Sequence, residues 1–442
     1  MNNSISQHFT WKSLLRFAFP TTILMIFMSL YTMVDGFFVA RFVGPDALSA
    51  INIVYPLIGV TIGMGVMLGT GGSALISNLL GQGKHRDAVQ NFTRISIFAL
   101  LLGLVFSGIS LLFIDPIMVF LGASERLLPY CKDFLSVLLP FLPAALLQVM
   151  FGTLFVTAGK PKIGLCLILI SGLLNGFLDY AFIVVLNMGI SGAAWATATG
   201  YLITPVFALF YFAKPRTNLY FVKHTVDLNV IFKSCINGSS EMVSNLAGSV
   251  IAWLMNLTMM HFAGESGVAA VTVVLYTQFI FTSIFLGFSN GVAPIISYNH
   301  GSKNVKQLQS IFKICMQTIV VFSILMIVLA FLMAGPVVSI FLPKGSESYL
   351  ITYHGYLLFS ISYLFAGINI FTSSLFTALS NGKASAQISF ARTFLFTVVN
   401  ILGFSLIFGM NGLWMAVPIA EISTLVLAFI YVKKFRLTYL YY

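Results

Sequence analysis

Residues 41–54 read RFVGPDALSAINIV, and residues 261–274 read HFAGESGVAAVTVV. A slide of 220 residues superposes them without a gap, setting Phe42 on Phe262, Gly44 on Gly264, Ala50 on Ala270 and Val54 on Val274. The same slide sets residues of GTGGSALISNLLGQGK (69–84) on residues of FSNGVAPIISYNHGSK (288–303): Gly71 on Gly291, Ile76 on Ile296, Ser77 on Ser297 and Gly81 on Gly301. A second pairing sets MGISGAAWA, from Met188, beside GMNGLWMAV, from Gly409. The chain is one structural unit written twice.

The solvent of that unit follows from composition. Of 442 residues, 59% are hydrophobic and only 8% charged, with a mean hydropathy of +0.98. A soluble domain carries roughly 25% charged residues to wet its surface. Disorder is excluded as well, because 43 Phe and 14% aromatics collapse in water. The chain belongs in a bilayer. Its net charge of +11 does not indicate a nucleic-acid partner, since Lys and Arg fall in short clusters between long apolar runs. Four cysteines (Cys131, Cys166, Cys235, Cys315) are far apart and read as small core residues.

Apolar stretches of about 20 residues, the length that spans a hydrocarbon core, fall near 14–39, 50–79, 93–114, 133–157, 163–187, 192–213, 233–260, 267–295, 312–335, 351–378, 386–408 and 412–432. The first is too long for a signal-peptide core and lacks a cleavage site, so it reads as a retained span. Counted by alternate loops, one side holds only Arg41, Arg126, Lys132 and Lys344 of the 23 cations. The other side holds 19, which makes it cytoplasmic together with both termini. The expected architecture is an all-α integral membrane protein with two six-helix bundles, residues 1–213 and 233–442, joined by a cytoplasmic loop, 214–232. An even number of spans per half makes parallel repeats, an architecture of transporters.

Four acids fall inside spans: Asp35, Asp179, Glu241 and Glu421. No Lys or Arg lies deep in any span, Arg94 and Arg392 sitting near cytoplasmic ends, so these carboxylates are expected without a fixed cation. An ionised side chain at mid-bilayer costs roughly 2.5–3.5 kcal/mol on insertion scales. Such groups are therefore expected to hold a proton, a metal ion or a cationic ligand. Asp35 lies 19 residues beyond Arg16 and Asp179 lies 17 beyond Lys162. At about 1.5 Å per residue both stand about 25–29 Å from the cytoplasmic edge. Asn175 precedes Asp179 by one helical turn, on the same face. Glu241 has Asn245 one turn later, and Pro20 interrupts the first span well before Asp35.

The segments YTMVDGFFVARFVGPDALSA (31–50), LLNGFLDYAFIVVLNMGISGAAWATATG (173–200) and NGSSEMVSNLAGS (237–249) resemble the MATE (multidrug and toxic compound extrusion) transporters. The likeness is greatest to the bacterial branch that holds the staphylococcal multidrug efflux pump. The resemblance implies a V-shaped, alternating-access antiporter of the plasma membrane, without cofactor. It would export bulky, often cationic amphipathic drugs in exchange for H⁺ or Na⁺. It maps a cation-coupling site onto Asp35, Asn175, Asp179 and Thr197, where Na⁺ is the one metal ion to expect. It maps a helix bend onto Pro20 and a substrate or second polar site onto Glu241 with Asn245. The expected partners are small-molecule drugs, organic cations and lipid, with the protein a monomer. The rival reading is a flippase for lipid-linked oligosaccharide, whose pyrophosphate needs buried cations. An intramembrane enzyme is disfavoured because the spans lack GxGD, HExxH and a Ser/His dyad.

Overall fold

The computed structural model describes residues 5–215, 218–223 and 227–442, with the side chains of residues 30–37, 40, 45, 48 and 265 outside the description. Twelve long helices account for most of it. They are α1 (Trp11–Phe38), α2 (Pro45–Gly81), α3 (His85–Leu112), α4 (Leu128–Thr157), α5 (Pro161–Val185) and α6 (Gly189–Phe212). The second half repeats the set as α7 (Leu228–Gly264), α8 (Ser266–Gly301), α9 (Val305–Phe341), α10 (Glu347–Ser360 continued by Tyr363–Ala378), α11 (382–408) and α12 (410–439). No strand occurs among the described residues.

Lipid offers no hydrogen bonds, so a spanning segment must satisfy its backbone internally, and a helix does so. The shortest of these twelve, α6, has 24 residues, about 36 Å of rise against a hydrocarbon core of about 30 Å. The repeat is visible in the turns. Gly44 (φ 123°) separates the π-helical end of the first span from Pro45, the first residue of α2. Its repeat mate Gly264 (φ 56°) separates α7 from α8. Both backbones sit where a Cβ is strained, which is why glycine holds both positions. The helix α10 bends by 48° at its centre.

Burial is divided unevenly along the helices. At the end away from the Lys/Arg-rich loops, each half has its own core. One gathers Val54, Phe134, Leu138 and Ala194 from α2, α4 and α6. The other gathers Met255, Phe285, Phe359 and Trp414 from α7, α8, α10 and α12. At the cation-rich end a single core takes residues from both halves, among them Phe92, Phe151, Phe155 and Phe212 with Ile295, Ile311, Phe371 and Leu375. Two halves that share a core at one end and have separate cores at the other form a V. Many large apolar side chains stay on the outside, such as Phe120, Leu406 and Leu112, and lipid covers them. All four cysteines are free.

Candidate functional site

Three polar clusters lie inside the helices, and each has a different character. The first is in the outer part of the first half. Helix α5 carries Asn175 and Asp179 one turn apart, and the chain then loosens into a π-helical turn, Tyr180–Val185. Such turns recur at functional sites because they re-aim side chains. Asp179 is fully buried, and Asn175 and Thr197 are nearly so. The Asn175 amide donates to the Thr197 hydroxyl at 3.4 Å, joining α5 to α6. The structure thus brings together three of the four residues expected to hold a cation. Asp35 is in α1, which packs against α5, but its side chain lies outside the described residues. Helix α1 continues through Pro20, which is buried within it.

The second cluster is a clasp that occurs in both halves. In the first, Gln148 Nε2 donates to Ser171 Oγ at 2.9 Å and to the Gly200 carbonyl at 3.2 Å, and Ser171 donates to that same carbonyl. In the second, Asn369 Nδ2 donates to the Glu421 carbonyl at 2.8 Å and to Glu421 Oε2 at 2.7 Å. Arg392 donates through Nε and Nη2 to Glu421 Oε1, both at 2.8 Å. Each member stands 221 residues after its counterpart: Gln148 and Asn369, Ser171 and Arg392, Gly200 and Glu421. A neutral clasp in one half is an ionic one in the other.

That second clasp corrects the expectation of isolated acids. Glu421 has a fixed cation, held against it inside the protein. The reason is local. Arg392 sits in a π-helical turn, Ala391–Phe396, that turns its long side chain inward from near the end of α11, and α12 returns alongside to present Glu421. Hydropathy shows neither the turn nor the return.

The third cluster surrounds Glu241, near the cation-rich end, where the halves meet. Its carboxylate is buried and accepts no hydrogen bond from any described residue. It faces a small cavity of ≈ 10 Å³, the room of about one water. The walls come from both halves: Thr70 and Ser73 of α2 and Thr153 of α4 opposite Asn290 of α8 and Ser374 and Thr377 of α10. Behind Thr377 runs a buried hydroxyl chain. Ser385 bridges Thr377 and Ser373 at 2.8 Å each and Ser240 at 2.9 Å, and Ser373 reaches Ser389 at 2.7 Å. Asn245 does not line the cavity. It is exposed, and its amide is turned back onto the Glu241 carbonyl at 3.0 Å.

The halves touch here through glycine. A Cβ on Gly71 would run into the Ser234 carbonyl, and one on Gly238 into the Met67 carbonyl. Gly81 and Gly301, superposed by the 220-residue repeat, meet the Tyr298 and Asn78 carbonyls in the same way. Ser297 adds a hydrogen bond of 2.6 Å to the Ala74 carbonyl. Sequence reading missed Arg392, Asn369 and the cavity's hydroxyls. The small polar residues of GTGGSA and of SSLFTALSNGKASAQIS were the available signal.

The family model described as MatE matches residues 20–181 and 242–402, one match in each half. The multidrug export protein MepA of Staphylococcus haemolyticus is 26% identical over 433 residues, covering 96% of this chain and 94% of its own. The MepA of Staphylococcus aureus strain MRSA252 is 24% identical over 97% of this chain and 95% of its own. Among solved structures, the outward-facing conformation of a multidrug resistance MATE family transporter of the MOP superfamily superposes with a TM-score of 0.92 at 21% identity. It covers 100% of this chain and 99% of that one.

Proposed function

Because the chain belongs to the MatE family, we propose that it is a secondary-active multidrug antiporter of the plasma membrane, working by alternating access. It would carry bulky, often cationic amphipathic compounds out in exchange for H⁺ or Na⁺. The observation that carries the reading is the full burial of the Asp179 carboxylate beside the Asn175–Thr197 pair. A carboxylate in that setting is costly while charged, and a proton or Na⁺ relieves the cost. Asp35, from the neighbouring α1, completes the site, and Pro20 lets that helix bend. The cation then acts on conformation only through different affinities for the two forms.

The V supports the alternation. Residues 1–213 and 233–442 act as two bundles, joined by the cytoplasmic loop 214–232, that close at the cation-rich, cytoplasmic end and open outward. Drug enters between them and is held by aromatic and Met surface, and the protein works as a monomer. The flippase reading loses support at Arg392. The buried cation that a pyrophosphate needs is already engaged by Glu421.

The test is transport by purified protein in liposomes, with ethidium as substrate and with pH and Na⁺ gradients imposed separately. One gradient drives ethidium movement, and Asp35→Asn and Asp179→Asn each abolish it while the protein still inserts. Wild-type rates in both variants would remove the coupling role from this site.

A further inference from the structure

The Glu241 cavity is unlike the first-half site in one respect: neither half can build it alone. Thr70, Ser73 and Thr153 come from the first half, and Glu241, Asn290 and Ser374 from the second. The polar side chains of Thr153, Asn290, Ser374 and Glu241 make no hydrogen bond to any described residue, and Glu241 is 8% exposed. Thr70 spends its proton on the Val66 carbonyl at 2.8 Å, and Ser73 accepts from Thr157 at 2.7 Å. The threonine oxygen therefore faces the cavity as an acceptor. One carboxylate, hydroxyls and an amide carbonyl around the space of one water form an oxygen set suited to a hard cation.

The charge count favours a monovalent ion. Arg392 interacts electrostatically with Glu241, but its Nε and Nη2 both donate to Glu421. Glu421 and Arg392 cancel each other, so an ionised Glu241 carries one unbalanced negative charge. A single monovalent ion cancels it, whereas a divalent ion reverses it.

We propose that this cavity is a binding site for one Na⁺-class monovalent cation, and that occupancy latches the two halves together at the cation-rich end. The site's walls separate when the halves do, so the ion binds the closed form far better than the open one. That difference is the whole of its effect on the equilibrium. The site is separate from Asp35, Asn175, Asp179 and Thr197. The inference rests on the reading above only in taking the halves to part at this end.

The experiment uses the full chain with its four cysteines replaced and spin labels at Lys84→Cys and Lys303→Cys, in lipid nanodiscs. Electron–electron distances are measured as NaCl replaces choline chloride at fixed pH, with KCl as the size control. The expected result is a short-distance population that grows with Na⁺. In Thr153→Val and Ser374→Ala the half-saturating Na⁺ rises at least about tenfold. Glu241→Gln, already neutral, holds the short distance whether or not Na⁺ is present. Asp179→Asn stops exchange but keeps a Na⁺-driven short-distance population, and adding Glu241→Gln makes that population independent of Na⁺, so failure of one site is told apart from failure of the other. A distribution that ignores Na⁺, or one that follows acid alone, overturns the proposal. So does a Na⁺ response that survives intact in Glu241→Gln.

Discussion

Glu421 gives its two oxygens to two different donors, Arg392 on one and Asn369 on the other. Removing one partner of a buried pair leaves a bare charge and costs about 3–5 kcal/mol, while replacing the whole pair with apolar groups is often neutral. Glu421→Gln should therefore lower the thermal midpoint of the detergent-solubilised protein sharply. Arg392→Met with Glu421→Leu should restore most of it, and equal losses in both proteins would deny the pair its place. Restored stability need not restore transport, because the double variant also removes the guanidinium that acts on Glu241. At Asp179 the expectation concerns transport. Asp179→Asn removes the ionisable group, so gradient-driven efflux falls to background while the protein still inserts. Thr197→Val should weaken coupling less, since it removes one hydroxyl contact at 3.4 Å and no charge. Transport by each variant, measured against its melting temperature, separates the two roles.

Helix contacts decide which glycines can change. Beside Gly71 and Gly238 the neighbour is a backbone carbonyl, which cannot swing aside as a side chain does. Gly71→Val should wedge α2 from α7 and depopulate the closed form, read as a longer distance between labels at positions 84 and 303. Gly176→Ala is the control. Its Cβ meets open space, and an Ala in a helix gains about 0.5–1 kcal/mol over Gly. Gly355→Ala tests the second half's own core, since its Cβ would press on the buried Trp414 ring at a cost of about 1–3 kcal/mol. At this scale the sequence was readable where one helix suffices. The apolar runs 163–187 and 192–213 correspond to α5 and α6 within about two or three residues, and the one-turn spacing of Asn175 and Asp179 placed both inside. Reading ran out where several helices meet. Arg392 and Glu421 are 29 positions apart and meet only because α12 folds back on α11. The cavity at Glu241 draws on five helices, and no periodicity within any one of them points to it. Thr197 was reached by resemblance, because a lone hydroxyl on an apolar helix carries no signal of its own.

The whole molecule is polarised by charge, and the ion pairs sharpen that polarity. Of the four cations away from the Lys/Arg-rich loops, Arg126 is paired with Asp46 at 2.9 Å and Lys132 with Asp115 at 2.8 Å. These pairs are exposed and add little to stability, but they cancel positive charge on the side where it is already scarce. The opposite end keeps its clusters, including Lys84, Arg86, Lys160, Lys162 and Lys303. Positive loops stay on the cytoplasmic side during insertion, which is the ground for the proposed orientation with both chain ends inside. In that orientation the shared core and its glycine contacts seal the inside, and the cleft between the separate cores faces out. A membrane-impermeant maleimide applied to intact cells should label Arg126→Cys and leave Lys84→Cys and Lys303→Cys unmodified until the cells are broken. Labelling of all three from outside would mean a mixed topology. Labelling of only the latter two would invert the molecule, turning the V toward the cytoplasm and making the proposed export an import.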